Sequence, residues 1–270
     1  RIPAARSLHT CAGCLPVYDV IRAGRSGLDQ IRGENVLNVT GSMAWHKDAW
    51  SSICDRVSAG QIPHALLIGG ERGVGKRQFA DALAAFLVCE QPDFGNRQAC
   101  GRCKQCELIA ADSHPDIRAS SPEKSRMIKV DQIRALSAFA VASPQVARRK
   151  VIIVDRADQL NINAGNALLK TLEEPFGDVV LLLLQESGRP ILPTLRSRCQ
   201  GLNIPVPEAE QAGAWLQEQL AASQTDSPIS AERQQLALRL AGYAPKLALE
   251  YITGDFLAHR ETIPGEVGHD

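Results

Sequence analysis

From residue 43 onward, apolar positions alternate between helical and strand-like patterns. Trp50, Ile53, Cys54 and Val57 recur at i, i+3, i+4 and i+7, the stripe of an amphipathic helix, and Gly60 supplies its stop. Ala65-Leu66-Leu67-Ile68 reads as a short buried strand, and Gln78 to Leu87 as a helix with Phe79, Leu83 and Phe86 on one face. His114-Pro115-Asp116-Ile117 opens another strand, and Val130 to Ala142 predicts a helix turning Ile133, Leu136 and Phe139/Ala140 inward. Val151 to Val154 is a strand, Ala164 to Glu174 a helix stopped by Pro175, and Leu202 to Ile204 a last short strand. Val179 to Leu184 is an unbroken apolar run, which suits a strand buried on both faces of a parallel sheet. The alternation predicts an open α/β sheet with helices on both sides. After Pro205-Val206-Pro207 the strands stop. Glu208 to Ala222, Ala231 to Ala241 and about Lys246 to Leu257 read as three helices, the prolines forming a hinge and Ser223 to Ser230 a polar linker.

Residues 1–42 show no sustained period, and are expected to be a disordered tail or upstream read-through with Met43 as the natural start. The Cys11-x2-Cys14 pair there offers two of the four ligands that a structural zinc needs.

Composition narrows the class. With 44% apolar side chains in 270 residues, the chain can bury a proper core. Thirty basic and thirty acidic residues cancel. A chain that gripped DNA alone would show a basic excess, so neutrality argues against autonomous nucleic-acid binding and leaves room for a role inside a DNA-binding assembly. No apolar run approaches the roughly 20 residues of a membrane span, and no charged-then-apolar leader is present. The expectation is a soluble cytoplasmic protein with no membrane partner.

Gly70-Glu71-Arg72-Gly73-Val74-Gly75-Lys76-Arg77 fits the phosphate-binding template G-x-x-x-x-G-K-[ST] up to its last position. There a hydroxyl should hold Mg²⁺, and Arg77 has donors only. Lys150-Val151-Ile152-Ile153-Val154-Asp155 is an apolar strand ending in a carboxylate, as a Walker B element should. The next residue in such ATPases is a Glu that polarises the attacking water, and here it is Arg156, which cannot act as a base. Asp158 would need the backbone to bend back to replace it. Loss of both the magnesium and the base positions predicts a chain that does not hydrolyse ATP by itself. Gly70, Gly73, Gly75, Lys76, Arg77 and Asp155 then form a vestigial nucleotide site, with ATP or ADP binding a separate question.

Cys89-x10-Cys100-x2-Cys103-x2-Cys106 is metal-ligand spacing. Four thiolates close a tetrahedral structural Zn²⁺ with no open position for water. His114 is close in sequence but reads as a hydrogen-bonding residue of its Ser-His-Pro-Asp turn.

Ile62-Pro63-His64-Ala65-Leu66-Leu67, the four-cysteine insertion, His114-Pro115-Asp116, Asn166 to Pro175 (NALLKTLEEP) and Leu195-Arg196-Ser197-Arg198-Cys199 occur in that order. Together they resemble the bacterial clamp-loader subunits of the AAA+ family, over about Met43 to Tyr251. The resemblance implies an AAA+ P-loop domain over 43–206, with the zinc knuckle inserted at 89–106. A three-helix lid domain over 207–257 and a tail over 258–270 follow, and the family's helical collar is absent. It implies a subunit of DNA polymerase III's clamp loader, working with gamma/tau and delta subunits, the sliding clamp and primed DNA. The damaged motifs set it apart from the ATP-hydrolysing gamma/tau subunit, which carries Lys-Thr and Asp-Glu. The family also implies that Arg198 projects as an arginine finger onto ATP bound by a neighbour, with Arg196 the competing candidate. Gln185 stands where related ATPases keep a polar sensor, and Lys170 reads as a solvated helix residue. A gamma/tau-like ATPase tolerating both arginines, and a free-standing AAA+ adaptor unrelated to replication, are the alternatives.

Overall fold

The computed structural model describes residues 43–122, 127–174, 177–223, 229–254 and 256. The expectations for residues 1–42 with Cys11 and Cys14, for the helix stop at Pro175 and for the tail from 258 lie outside them.

Five parallel strands form one sheet in the order β2-β3-β4-β1-β5. They are β1 Ala65–Gly70, β2 Ile117–Ser120, β3 Lys150–Val154, β4 Val179–Glu186 and β5 Gln200–Asn203. Successive strand residues point to opposite faces, and both faces are apolar. On one side Leu66, Ile68, Val151, Ile153, Leu182 and Leu184 pack against α1 (Lys47–Ser58) and α2 (Lys76–Val88), with Trp50, Phe79 and Phe86 between them. On the other, Leu67, Ile152, Val154, Leu181 and Leu183 meet α4 (Val130–Val141) and α5 (Ile162–Glu173). Helix α5 starts two residues earlier than its apolar stripe, because the Asn161 side chain accepts from Ala164 N at 2.7 Å and caps it.

Two short helices fall outside the sequence reading: α3 (Lys104–Ala110) within the cysteine insertion, and α6 (Pro193–Arg196) before β5. Both are too short for a helical period to emerge. The helices α7 (Ala209–Ala222), α8 (Ala231–Leu240) and α9 (Pro245–Thr253) share a separate small core built on Ala212, Leu216, Ala237, Ala248 and Ile252.

Where the strands begin, buried charge is held by backbone. Asp116 accepts from the amides of Gln145, Val146 and Ala147 at 2.7, 2.7 and 2.8 Å. Burial alone would raise its pKa, but these three donors hold the carboxyl below its ordinary range. Lys150 Nζ donates to Phe139 O at 2.6 Å and lies 4.3 Å from the Phe139 ring centroid, closing the C-terminus of α4.

Candidate functional site

β1 delivers the chain into the phosphate loop at the sheet's C-terminal edge. Gly75 has φ 92°, a left-handed conformation that the loop needs as it enters α2. Gly73 lies under α9: a Cβ there would be 2.6 Å from Leu247, and its carbonyl accepts from Lys246 N at 3.1 Å. The loop is also held from the front. Trp45 Nε1 donates to Val74 O at 2.9 Å, and His46 Nε2 lies 2.8 Å from the same oxygen.

Lys76 folds back on the loop, donating to Gly70 O and Glu71 O at 2.8 Å each. Burial lowers its pKa, with the charges of Glu186 and Asp155 opposing. Arg77 donates through Nε to Asp81 at 2.9 Å, and its Nη1 stands 3.9 Å from Asp155 Oδ2. A guanidinium therefore faces the carboxylate that a Walker B element would turn to magnesium. Burial raises the Asp155 pKa, and Arg77 works against it. Arg156 turns at φ 60° and pairs with Glu186 at 2.9 Å; Arg189 also reaches Glu186, at 3.2 Å. Asp158 has its side chain buried and accepts from Glu186 N at 3.1 Å, so it braces the end of β4.

Sequence reasoning missed Trp45, His46, Glu186, Lys246 and Leu247. Local spacing carries no signal for them, since each meets the loop or its arginines across a long stretch of chain. Gln185 donates to Arg189 O at 2.7 Å and accepts from Arg196 at 3.4 Å. Lys170 is exposed on α5.

The other end of α2 runs into the cysteine cluster. The sulfurs of Cys89, Cys100, Cys103 and Cys106 all lie within 4.8 Å of one another. Cys103 is 3.5 Å from Cys106 and 3.8 Å from Cys89, and Cys106 is 3.8 Å from Cys89. A tetrahedral ion with bonds of about 2.3 Å sets its sulfurs about 3.8 Å apart, so the four thiols fit a metal ion. The amides of Cys100 and Cys103 point at Cys89 Sγ and Cys100 Sγ, both at 3.3 Å. Gly101 (φ 72°) makes the turn between Cys100 and Cys103. Gln105 on α3 ties the knuckle to the sheet, accepting through Oε1 from His114 Nε2 at 2.8 Å and donating to Val146 O at 3.0 Å. His114 thus acts as a hydrogen-bonding residue.

Arg198 lies between α6 and β5, where β5 starts level with Leu66 in β1. The phosphate loop leaves the opposite end of β1, roughly 17 Å away along a six-residue strand. Arg198 Nη2 pairs with Glu173 Oε1 at 2.6 Å, and Nη1 donates to Thr194 O at 3.0 Å and Ser197 Oγ at 3.2 Å. Arg196 turns the other way, toward Gln185.

Residues 45–208 match the model of the family described as DNA polymerase III, delta subunit. The DNA polymerase III subunit delta' of Pseudomonas aeruginosa is 42% identical over 195 residues, 72% of this chain and 57% of that protein. The Escherichia coli subunit delta' is 34% identical over 220 residues, 81% of this chain and 63% of that protein. The chain thus spans about three fifths of the length of these curated relatives. A solved Thermotoga maritima RuvB mutant aligns with a TM-score of 0.50 at 15% identity, covering 83% of this chain and 67% of that one, a likeness of fold. The parallel sheet with flanking helices is an AAA+ P-loop fold. No helix among the described residues is long and apolar enough to cross a membrane.

Proposed function

Since the chain belongs to the DNA polymerase III delta-prime family, we propose that it serves as a non-hydrolysing subunit of the clamp loader, helping to load the sliding clamp onto primed DNA. Its partners in this reading are the gamma/tau and delta subunits, and through them the clamp and the DNA. One observation carries the non-hydrolysing part: Arg77 stands 3.9 Å from Asp155 and Arg156 is paired to Glu186, so guanidinium groups occupy the metal and base positions. Phosphoryl transfer there would lack both the ion that neutralises the phosphates and the group that orients water. Nucleotide could enter only by taking Lys76 from two carbonyls that already satisfy it.

Arg198 supplies the chemistry the subunit contributes. It lies at the sheet edge away from its own phosphate loop, so a phosphate within its reach belongs to a neighbour. An arginine finger stabilises charge on the transferred phosphoryl group. The cysteine cluster holds a structural Zn²⁺, since four thiolates suit that ion and leave no position for substrate.

Phosphate release by the isolated chain with ATP and Mg²⁺ tests the reading, and is expected to stay at background. Steady hydrolysis that disappears in Lys76→Ala would overturn it in favour of a gamma/tau-like ATPase. Elemental analysis is expected to find about one zinc per chain, lost in Cys103→Ser while the sheet domain stays folded.

A further inference from the structure

An arginine that must meet a phosphate across an interface has two requirements, a fixed plane and a free donor. Arg198 satisfies both. Its guanidinium carries five N–H groups. Nη1 donates to Thr194 O and Ser197 Oγ, and Nη2 forms an ion pair with Glu173 Oε1 at 2.6 Å. Nε–H has no hydrogen-bond acceptor among the described residues. Nε–H is therefore a donor that a phosphate oxygen can take.

Thr194 and Ser197 are on the same short stretch as Arg198, so they move with it. Glu173 does not: it is the last residue of α5, 25 positions away by number, and its helix is packed into the sheet core through Leu168 and Leu172. It ties the guanidinium to a second packed element besides α6, whose Leu195 is buried in the same core. Helix stability gives no reason for the acid, because a carboxylate at a helix C-terminus is disfavoured by the helix dipole. An isolated exposed ion pair of this kind also adds little to folding stability.

We infer that Glu173 is a positioning residue: it fixes the plane of Arg198 so that its Nε side is held ready for a phosphate carried by a neighbouring subunit. The inference rests on the reading of Arg198 as a finger. Preorganisation of this kind acts on the rate of phosphoryl transfer, because the Arg198 side chain need not be ordered at the moment of reaction.

The test is a double-mutant cycle in the assembled clamp loader built with the full-length subunit, reading ATP hydrolysis and subunit stoichiometry together. Glu173→Ala is expected to lower kcat about tenfold with KM for ATP unchanged. Glu173→Gln keeps an acceptor and should recover most of the rate. In an Arg198→Ala background, Glu173→Ala should cost nothing further. An equal loss in both backgrounds would overturn the inference, as would loss of the subunit from the complex in Glu173→Ala. If Arg198→Ala is slow and Glu173→Ala is silent, the finger reading stands and this inference falls. If Arg198→Ala itself leaves the rate unchanged, both fall.

Discussion

The two edges of the sheet treat positive charge in opposite ways. At the C-terminal edge, each basic group of the phosphate-loop region is turned onto the protein's own acceptors: Lys76 onto two carbonyls, Arg77 onto Asp81 and toward Asp155, Arg156 onto Glu186. At the N-terminal edge, Asp116 and Lys150 are equally well satisfied, but Arg198 leaves Nε–H without an acceptor among the described residues while Nη1 and Nη2 are held. A phosphate loop whose cationic groups are already paired offers little to an incoming nucleotide. An oriented arginine with a spare donor offers something only to a group that arrives from outside. Under the proposed function, the comparison teaches how an ATPase fold could lose its own chemistry at one edge and keep a contribution to a neighbour's at the other.

The largest expected effect breaks the open edge. In the assembled loader, Arg198→Ala should lower hydrolysis at the site it serves by at least about tenfold, with complex formation intact. Arg198→Lys should recover little, since an ammonium cannot grip two oxygens as a fork does. Arg196→Ala, measured in parallel, should cost less because that side chain is directed at Gln185. A larger loss from Arg196 would move the open site to the wrong arginine and undo the comparison.

Next comes the closed part of the same edge. Asp116→Asn removes a buried anion from three amides and should cost about 2–4 kcal/mol of stability, read from urea midpoints. The sign with pH follows from the direction of the shift. The folded-state pKa lies below the ordinary 3.8, so the carboxylate's contribution is fully present above that value and is lost as pH falls through the folded value. Wild type and variant should therefore differ most near neutrality and draw together as pH falls below 3.8 and through the folded value. A gap that persisted in acid would assign the loss to packing instead of charge.

The smallest effect tests the C-terminal edge. Arg77→Ser removes a half-exposed arginine whose ion pairs are with Asp81 and Asp155, and should change stability by less than about 1 kcal/mol. It should also leave hydrolysis at background, because Arg156 still holds the place of the base. Turnover in that variant would show the edge to be one substitution away from activity.

Much of the fold was legible because neighbours in the chain carry it. The unbroken run from Val179, the stripe Trp50–Val57 and the glycines of the phosphate loop each state a local preference that the packed structure keeps. The cysteine spacing likewise states a cluster, since Cys100, Cys103 and Cys106, three positions apart, cannot stray far from each other. Reading failed where an element is short, as in α3, which carries Cys106 on a helix of seven residues.

What sequence by itself determined here is a set of absences and spacings: no hydroxyl after Lys76, no carboxylate after Asp155, four thiols within 18 positions. These follow from side-chain identity, which no fold can alter. Only the tertiary structure decided where the charges went. Arg156 finds Glu186 across 30 positions, Arg198 finds Glu173, and Lys246 lays its amide on Gly73 because strand order brings distant loops to one edge. Such pairs are selected by register and packing, and the energy that selects them is shared across both cores of the sheet, so no single stretch of chain records it.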